Sequence, residues 1–303
     1  RGLLPGYHPR YRGQSKDITV SADNSSLDFH PLRADLYQEL HSRPFQIIPP
    51  HARVTQIAVI TTPEQRTRQF EHLQKLHRLL GEPWPEHEVS CYEQSFGKLR
   101  IRREVHMEFT SYTFINLADS DADPFAETGL SLLPDGWLAQ LEGTVVGAFH
   151  VEVRASSEDA RSELAFMRKH FEGMRLVGSS PQEGAARVLG SFQLHSDNFG
   201  RFMVLNHHMS NSQLGRLVQR LMEIETYRLM SLLALPVARE ITPSLNDMDQ
   251  QLARITQSLA DNESLDEQQI LAELTNIAAR IEAYRAHTTF RFSATRAYHR
   301  LVL

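Results

Sequence analysis

The sequence predicts an α/β domain followed by a long helical arm. Up to about residue 208, strand-like runs interleave with helical periodicities, as in a domain built from a mixed sheet covered by helices. From residue 210 onward the apolar spacing is helical throughout. The composition of the 303 residues, 41% hydrophobic and 23% charged, is that of a chain able to bury a sizeable core. The expected layout is a tail over 1–29, an α/β domain over 30–208 with six or seven strands, and a helical arm over 209–303.

Residues 1–29 mix Gly, Pro, Ser, Asp and Arg without a period and read as a tail. His30-Pro31 opens a short helix through Leu32, Leu36 and Leu40 that stops before Pro44. Val54–Thr61 is rich in β-branched residues and reads as a strand. Pro63 then starts a helix carrying Phe70, Leu73, Leu76, Leu79 and Leu80, and Gly81 ends it. Val89–Tyr92 is strand-like and makes Cys91 a buried small hydrophobe.

From Lys98 to Phe109 the residues alternate. Leu99, Ile101, Val105, Met107 and Phe109 fall on one side, with Arg103 as the exception; Lys98, Arg100, Arg102, Glu104, His106 and Glu108 fall on the other. Period two predicts a single strand with one face toward solvent or a partner. Thr144–Arg154 repeats the pattern, with Val145, Phe149, Val151 and Val153 opposite His150, Glu152 and Arg154. Between them lie a loop at Asp119–Pro124 and a short helix near Trp137. Residues 158–170 read as a helix, and Arg187–Leu194 with Arg201–Asn206 as a hairpin around Ser196–Gly200.

Ser210 with Gln213 forms a capping box ahead of Leu214, Leu217, Leu221 and Ile224. Pro236 and Pro243 bracket an expected break, with Thr242 as cap and Pro243 as first helical residue. Leu245, Met248, Leu252, Ile255 and Leu259, then Ile270, Leu274, Ile277, Ile281, Tyr284 and Thr288, make two seams with a 3.5-residue repeat. Ser264 with Glu267 reads as a second capping box, and the short polar link before it predicts an antiparallel hairpin. A helix from Leu265 to Leu303 would be on the order of 58 Å long and project past the domain. The start at Arg1 and the unstopped helix at Leu303 give the expectation of a piece of a longer chain.

Several functional classes lose support at once. A formal charge of −5 offers no electrostatic reason for a nucleic-acid partner. One cysteine makes neither an internal disulfide nor a thiolate zinc site. No apolar run reaches the ~20 residues of a membrane span, and no signal-peptide h-region is visible. Dinucleotide and Walker glycine patterns and the Gly-x-Ser-x-Gly elbow are all missing.

Glu104, His106 and Glu108 form the one cluster with metal or acid/base character. On a strand, alternate side chains lie ~6.8 Å apart on one face, within reach of a common divalent ion. His150 and Glu152 would join them on a neighbouring strand. The competing reading is the wet face of a half-exposed strand, which Lys98, Arg100 and Arg102 continue. In the segment 215–228, Arg216 and Arg220, Arg220 and Glu223, and Glu225 and Arg228 stand one turn apart. A structural role leads there, ahead of a subunit contact and of catalysis.

Five pieces together resemble an uncharacterised family of bacterial membrane-anchored proteins, known only as a domain of unknown function. They are His30–Arg33 with Glu39–Pro44, Glu104–Phe114, Phe192–Phe202, Gly215–Arg239, and Tyr284–Tyr298 around Arg291. The similarity runs from about residue 28 to 303. Arg103 stands where the family tends to have Trp, and Ser42 where it tends to have Ala. The resemblance implies further helices after residue 303, a C-terminal anchor in the bacterial inner membrane, and a cytoplasm-facing soluble domain. The layout also resembles CorA-type magnesium channels, whose subunits join their helices in a funnel, so a homo-oligomer is expected. The leading expectation is a non-enzymatic domain of such a protein, possessing the regulatory role of a CorA-like ion transporter as a specialisation. The alternatives are a metal-dependent enzyme using the Glu-His-Glu residues and a membrane-tethered scaffold.

Overall fold

The computed structural model describes residues 28–34, 36–37, 44–81, 89–156, 160–260 and 266–303. Two compact units divide at Arg43/Pro44. In the first, a helical turn at Arg33–Tyr37 begins where His30 Nδ1 accepts from Leu32 N at 3.2 Å, and Arg33 lies over the Phe29 ring at 4.4 Å. Residues 1–27 of the tail expected over 1–29, Leu40, Ser42 and the 39–43 part of the first motif lie outside the described residues.

The second unit opens with β1 (Arg53–Ile60), α1 (Pro63–Leu80), β2 (Cys91–Phe96), β3 (Leu99–Val105) and β4 (Phe109–Asn116). It continues through β5 (Thr144–Ala155), α2 (Ala160–Lys169), β6 (Val177–Ser179), β7 (Ala186–Gly190) and β8 (Gly200–Asn206). Three helices close it: α3 (Asn211–Leu232), α4 (Ala234–Ala260) and α5 (Glu267–Val302). One mixed eight-stranded sheet, ordered β2-β3-β4-β1-β5-β8-β7-β6, replaces the six or seven strands expected. Every pairing is antiparallel except β5–β8, which needs the α2 crossover between its strands.

Period two sorts the sheet's side chains onto two covered faces. Ile57, Tyr112 and Phe114 meet Leu73 and Leu76 of α1, and on the same face Met203 and Leu205 meet Met167 of α2. On the other face Val54, Val151, Phe202 and Val204 meet Leu214, Val218 and Met222 of α3. Because both faces are covered, His150, Glu152 and Arg102 are buried rather than wet. As the sequence signals, Pro63 opens α1 and Gly81 ends it in the left-handed region, and Thr62 with Gln65 adds a capping box.

Four expectations need correction. The run Lys98–Phe109 is not one strand. It turns at His106–Glu108, so β3 and β4 pair back to back with Val105 opposite Thr110. Pro236 and Pro243 do not bracket a break; the chain bends at Leu233, and Pro243 sits inside α4. Thr242 is therefore no cap, and its hydroxyl donates to the Ala238 carbonyl at 2.6 Å, beside the backbone donor that proline lacks. The cap of α5 is Asp266, whose carboxylate accepts from Gln268 N at 2.9 Å, while Ser264 lies outside the described residues.

The fourth correction concerns direction. α5 is one helix of 36 residues, about 54 Å long, but its C-terminal turns do not leave the domain. Arg280 pairs with Asp247 at 3.3 Å, Thr295 donates to the Ser231 carbonyl at 3.1 Å, and Tyr298 stacks on Tyr227. Numbers fall along α4 and α3 as they rise along α5. That helix therefore runs antiparallel to both and splints the Leu233 junction. The part that projects is the α4–α5 hairpin, held by Met248, Ile255 and Ile277.

Candidate functional site

Glu104, His106 and Glu108 stand at the β3–β4 turn and are drawn to three different partners. Glu104 accepts from Arg102 at 2.9 Å. The His106 ring stacks on Phe109, with centroids 4.2 Å apart. Glu108 takes both terminal nitrogens of Arg291 from α5, at 2.8 and 3.1 Å. Among the described residues no group of three or more His, Cys, Asp or Glu is placed to hold a metal ion.

What this turn builds is a clasp between head and arm. The Glu108 and Arg291 side chains are 12% and 18% exposed, a setting in which a two-pronged charged pair is stronger than one at the open surface. Beside it, the Tyr298 phenol is pushed up by burial and by its hydrogen bond to Glu108. Phe109, Tyr227 and Tyr298 pack their rings around the same point. Of the α3 charges, Arg216 covers the Phe45 ring at 4.8 Å, and Arg220 lies 3.7 Å from Glu223 at the surface. Glu225 is buried and accepts two bonds from Arg228, whose guanidinium lies over Phe192 in the β7–β8 loop.

A second polar cluster centres on that loop, and the sequence named only its His150. Thr55 Oγ1 accepts from Gly129 N and stands 2.7 Å from His150 Nδ1, a hydrogen bond that fixes the ring. His150 Nε2 faces Asp197 at 4.0 Å while the ring stacks on Phe199. Burial pushes His150 down to about 4, so it is neutral at ordinary pH. Arg201 bridges Asp197 and Glu172, at 2.9 and 3.3 Å.

Alongside, Ser191, His195 and Glu172 follow the hydroxyl–imidazole–carboxylate order of a hydrolase triad. Ser191 Oγ is 2.9 Å from His195 Nε2, and burial again lowers the imidazole. The chemistry stops there. Glu172 is 3.5 Å from Nδ1, long for the bond that orients a working base. Ser191 is only 5% exposed, and its Oγ is also tied to Gln193 O and N, each at 3.3 Å. The arrangement fastens the β7–β8 loop to the turn that follows α2, where Glu172 also accepts from Ser196 N and Oγ.

The arm differs in kind. Leu245, Leu259, Leu271, Leu274 and Ile281 of the hairpin are all exposed, Leu271 by 67%. No helix among the described residues is long and apolar enough to cross a membrane. A family model described as a protein of unknown function (DUF3422) matches residues 28–303. No curated protein and no solved structure matches the chain.

Proposed function

We propose, from the premise that the chain belongs to the DUF3422 family of proteins of unknown function, that it is a non-enzymatic assembly module whose helical arm carries the interaction. One observation supports this above the others: the hairpin leaves five large aliphatic side chains exposed along its two helices, whereas the head's polar clusters bond chiefly to one another. In this reading the α/β head is a stable body and the arm is the stalk along which partners gather. The stalk would lie beside the bacterial inner membrane with the head in the cytoplasm, as the family resemblance implies. In the CorA-like arrangement expected from the sequence, copies would gather through these helices and the head would regulate what they do. A metal-dependent enzyme built on Glu104, His106 and Glu108 fits less well, because Arg102 and Arg291 occupy the two carboxylates.

The test uses the full-length protein extracted from cells in mild detergent. Replacing Leu274 and Ile281 together by Ser lowers the mass of the particle while the head stays folded. A particle of unchanged mass would sink the arm as the assembling element.

A further inference from the structure

The hairpin has two flanks of opposite character. On one, Gln251, Arg254 and Ser258 of α4 and Gln269, Glu273 and Asn276 of α5 rim a groove floored by Ile255 and Ile270 and continued by the Asp247–Arg280 pair. At ~100° per residue, Leu245, Leu252 and Leu259 fall on the other flank of α4, three or four residues from the buried Met248 and Ile255. Leu274 and Ile281 hold the same relation to Ile277, with Leu271 one turn before Leu274. The antiparallel register set by Asp247 and Arg280 places Leu245 beside Ile281 and Leu252 beside Leu274. The apolar side chains therefore stand in layers at seven-residue intervals across both helices.

We propose that this flank is occupied by the same flank of a second copy, so that two hairpins close into a four-helix bundle. The inference rests on the reading of the arm as the assembling element and names its partner. Seven-residue layers on a helical pair are half of the core of such a bundle, and a surface that pairs with itself closes about a two-fold axis. From Leu245 to Leu259 the face is about 21 Å long, and two helices side by side are about 20 Å wide. With the turns at either end this makes on the order of 500 Å² in projection, and corrugated side-chain surface exceeds its projection. That lies below the ~800 Å² that each partner of a tight complex buries, as for a weak pair whose dimer forms with concentration.

Sedimentation equilibrium on the purified chain, from about 1 to about 200 µM, tests the pairing. A monomer–dimer equilibrium is expected, and the double substitution Leu274→Ser with Ile281→Ser should raise its Kd about thirtyfold or more. Both side chains are already exposed, so circular dichroism of the double variant should match the parent. Phe290→Ser is the control. That residue is 65% exposed but lies about 140° round α5 from Ile277, and its loss should leave the Kd unchanged. A chain that stays monomeric throughout overturns the self-pairing, as does a Kd indifferent to the double substitution or equally sensitive to Phe290→Ser. If the detergent-extracted particle still loses mass in the double variant while the purified chain is monomeric, the arm assembles with something else. Self-pairing then fails and the assembly reading stands.

Discussion

The head and the hairpin are built by the same chain to different standards of completion. In the head, helices cover both faces of the sheet. Even its charged residues are buried with partners: Arg53 donates to the Ala118 and Ser120 carbonyls, and Glu152 pairs with Arg154 at 2.7 Å. In the hairpin, two long helices share a core of Met248, Ile255 and Ile277, while neighbouring leucines face outward. The head exposes large apolar side chains too, but Met107, Leu79 and Leu194 stand on three different segments and form no layers. A region that exposes aliphatic layers lowers its free energy by covering them. The contrast locates function on the arm, and it can be broken at either end.

The largest effect is expected at Gly215, where α3 crosses the segment leading into β1. Any Cβ there would overlap the Gln46 carbonyl oxygen, and the neighbouring Ile48 N donates to Asn211 O at 3.2 Å. Neither backbone can yield without losing the α3–sheet core. Gly215→Ala should cost about 4 kcal/mol in urea unfolding, at the upper end of overpacking penalties. A cost under about 1 kcal/mol would show that the head is looser than its packing implies.

Acid should act on the head next. His150 is held at about 4 in the fold against 6.5 for an ordinary imidazole, mainly because it is buried. The unfolded chain therefore binds more protons between these values. Stability is full above about pH 6.5 and falls as the pH drops toward 4, by on the order of 3 kcal/mol from this group. His195 and His170 are lowered as well and add with the same sign. Urea midpoints measured across that window should show the slope, and His150→Gln should flatten it. A slope unchanged in the variant would assign the acid sensitivity elsewhere.

These two sites also show what a sequence carries and what it hides. Thr62-Pro63 and Gly81 announce α1 because a helix's ends are settled by local hydrogen bonds and φ angles. Likewise Ser210 and Gln213 announce α3. The turn at His106–Glu108 announces nothing: it contains neither Gly nor Pro, and the alternation runs straight through it, so two strands read as one. Pro243 misleads in the opposite way, since helix propensity alone ends α4 where packing on α5 carries it through. Of the polar clusters, the loop Ser196–Gly200 that carries Asp197 is legible in the sequence, with Arg201 opening the strand after it. Its closure onto Glu172, Thr55 and His150 is a product of tertiary structure, bringing together residues up to 140 or so positions apart, and leaves no periodic trace. Glu108 was singled out for metal chemistry, but its partner Arg291, 183 positions on, is visible only in the fold.

The clasp gives an intermediate effect that separates head from arm. Glu108→Gln removes the charge from a pair whose side chains are mostly covered, and should cost about 1–2 kcal/mol. The loss should be local. Amide hydrogen exchange should quicken in the last turns of α5, from Arg291 onward, while β1 and β5 keep their protection. Arg291→Met should reproduce the pattern. If exchange rises equally in the central strands, the clasp belongs to the head's own stability and is not a separate fastening.

The smallest effect on the single chain sharpens the contrast most. Ile281 is 42% exposed, so at low concentration Ile281→Ala should change unfolding by no more than about 0.5 kcal/mol. Its loss matters only where the flank is covered, and covering by a second molecule depends on concentration whereas covering within the chain does not. Urea midpoints of parent and variant should therefore coincide in dilute solution and separate as the protein is concentrated, with the parent gaining. A difference present at every concentration would mean that Ile281 is packed within its own chain. The hairpin would then be as complete as the head, and the reason for placing function there would be gone.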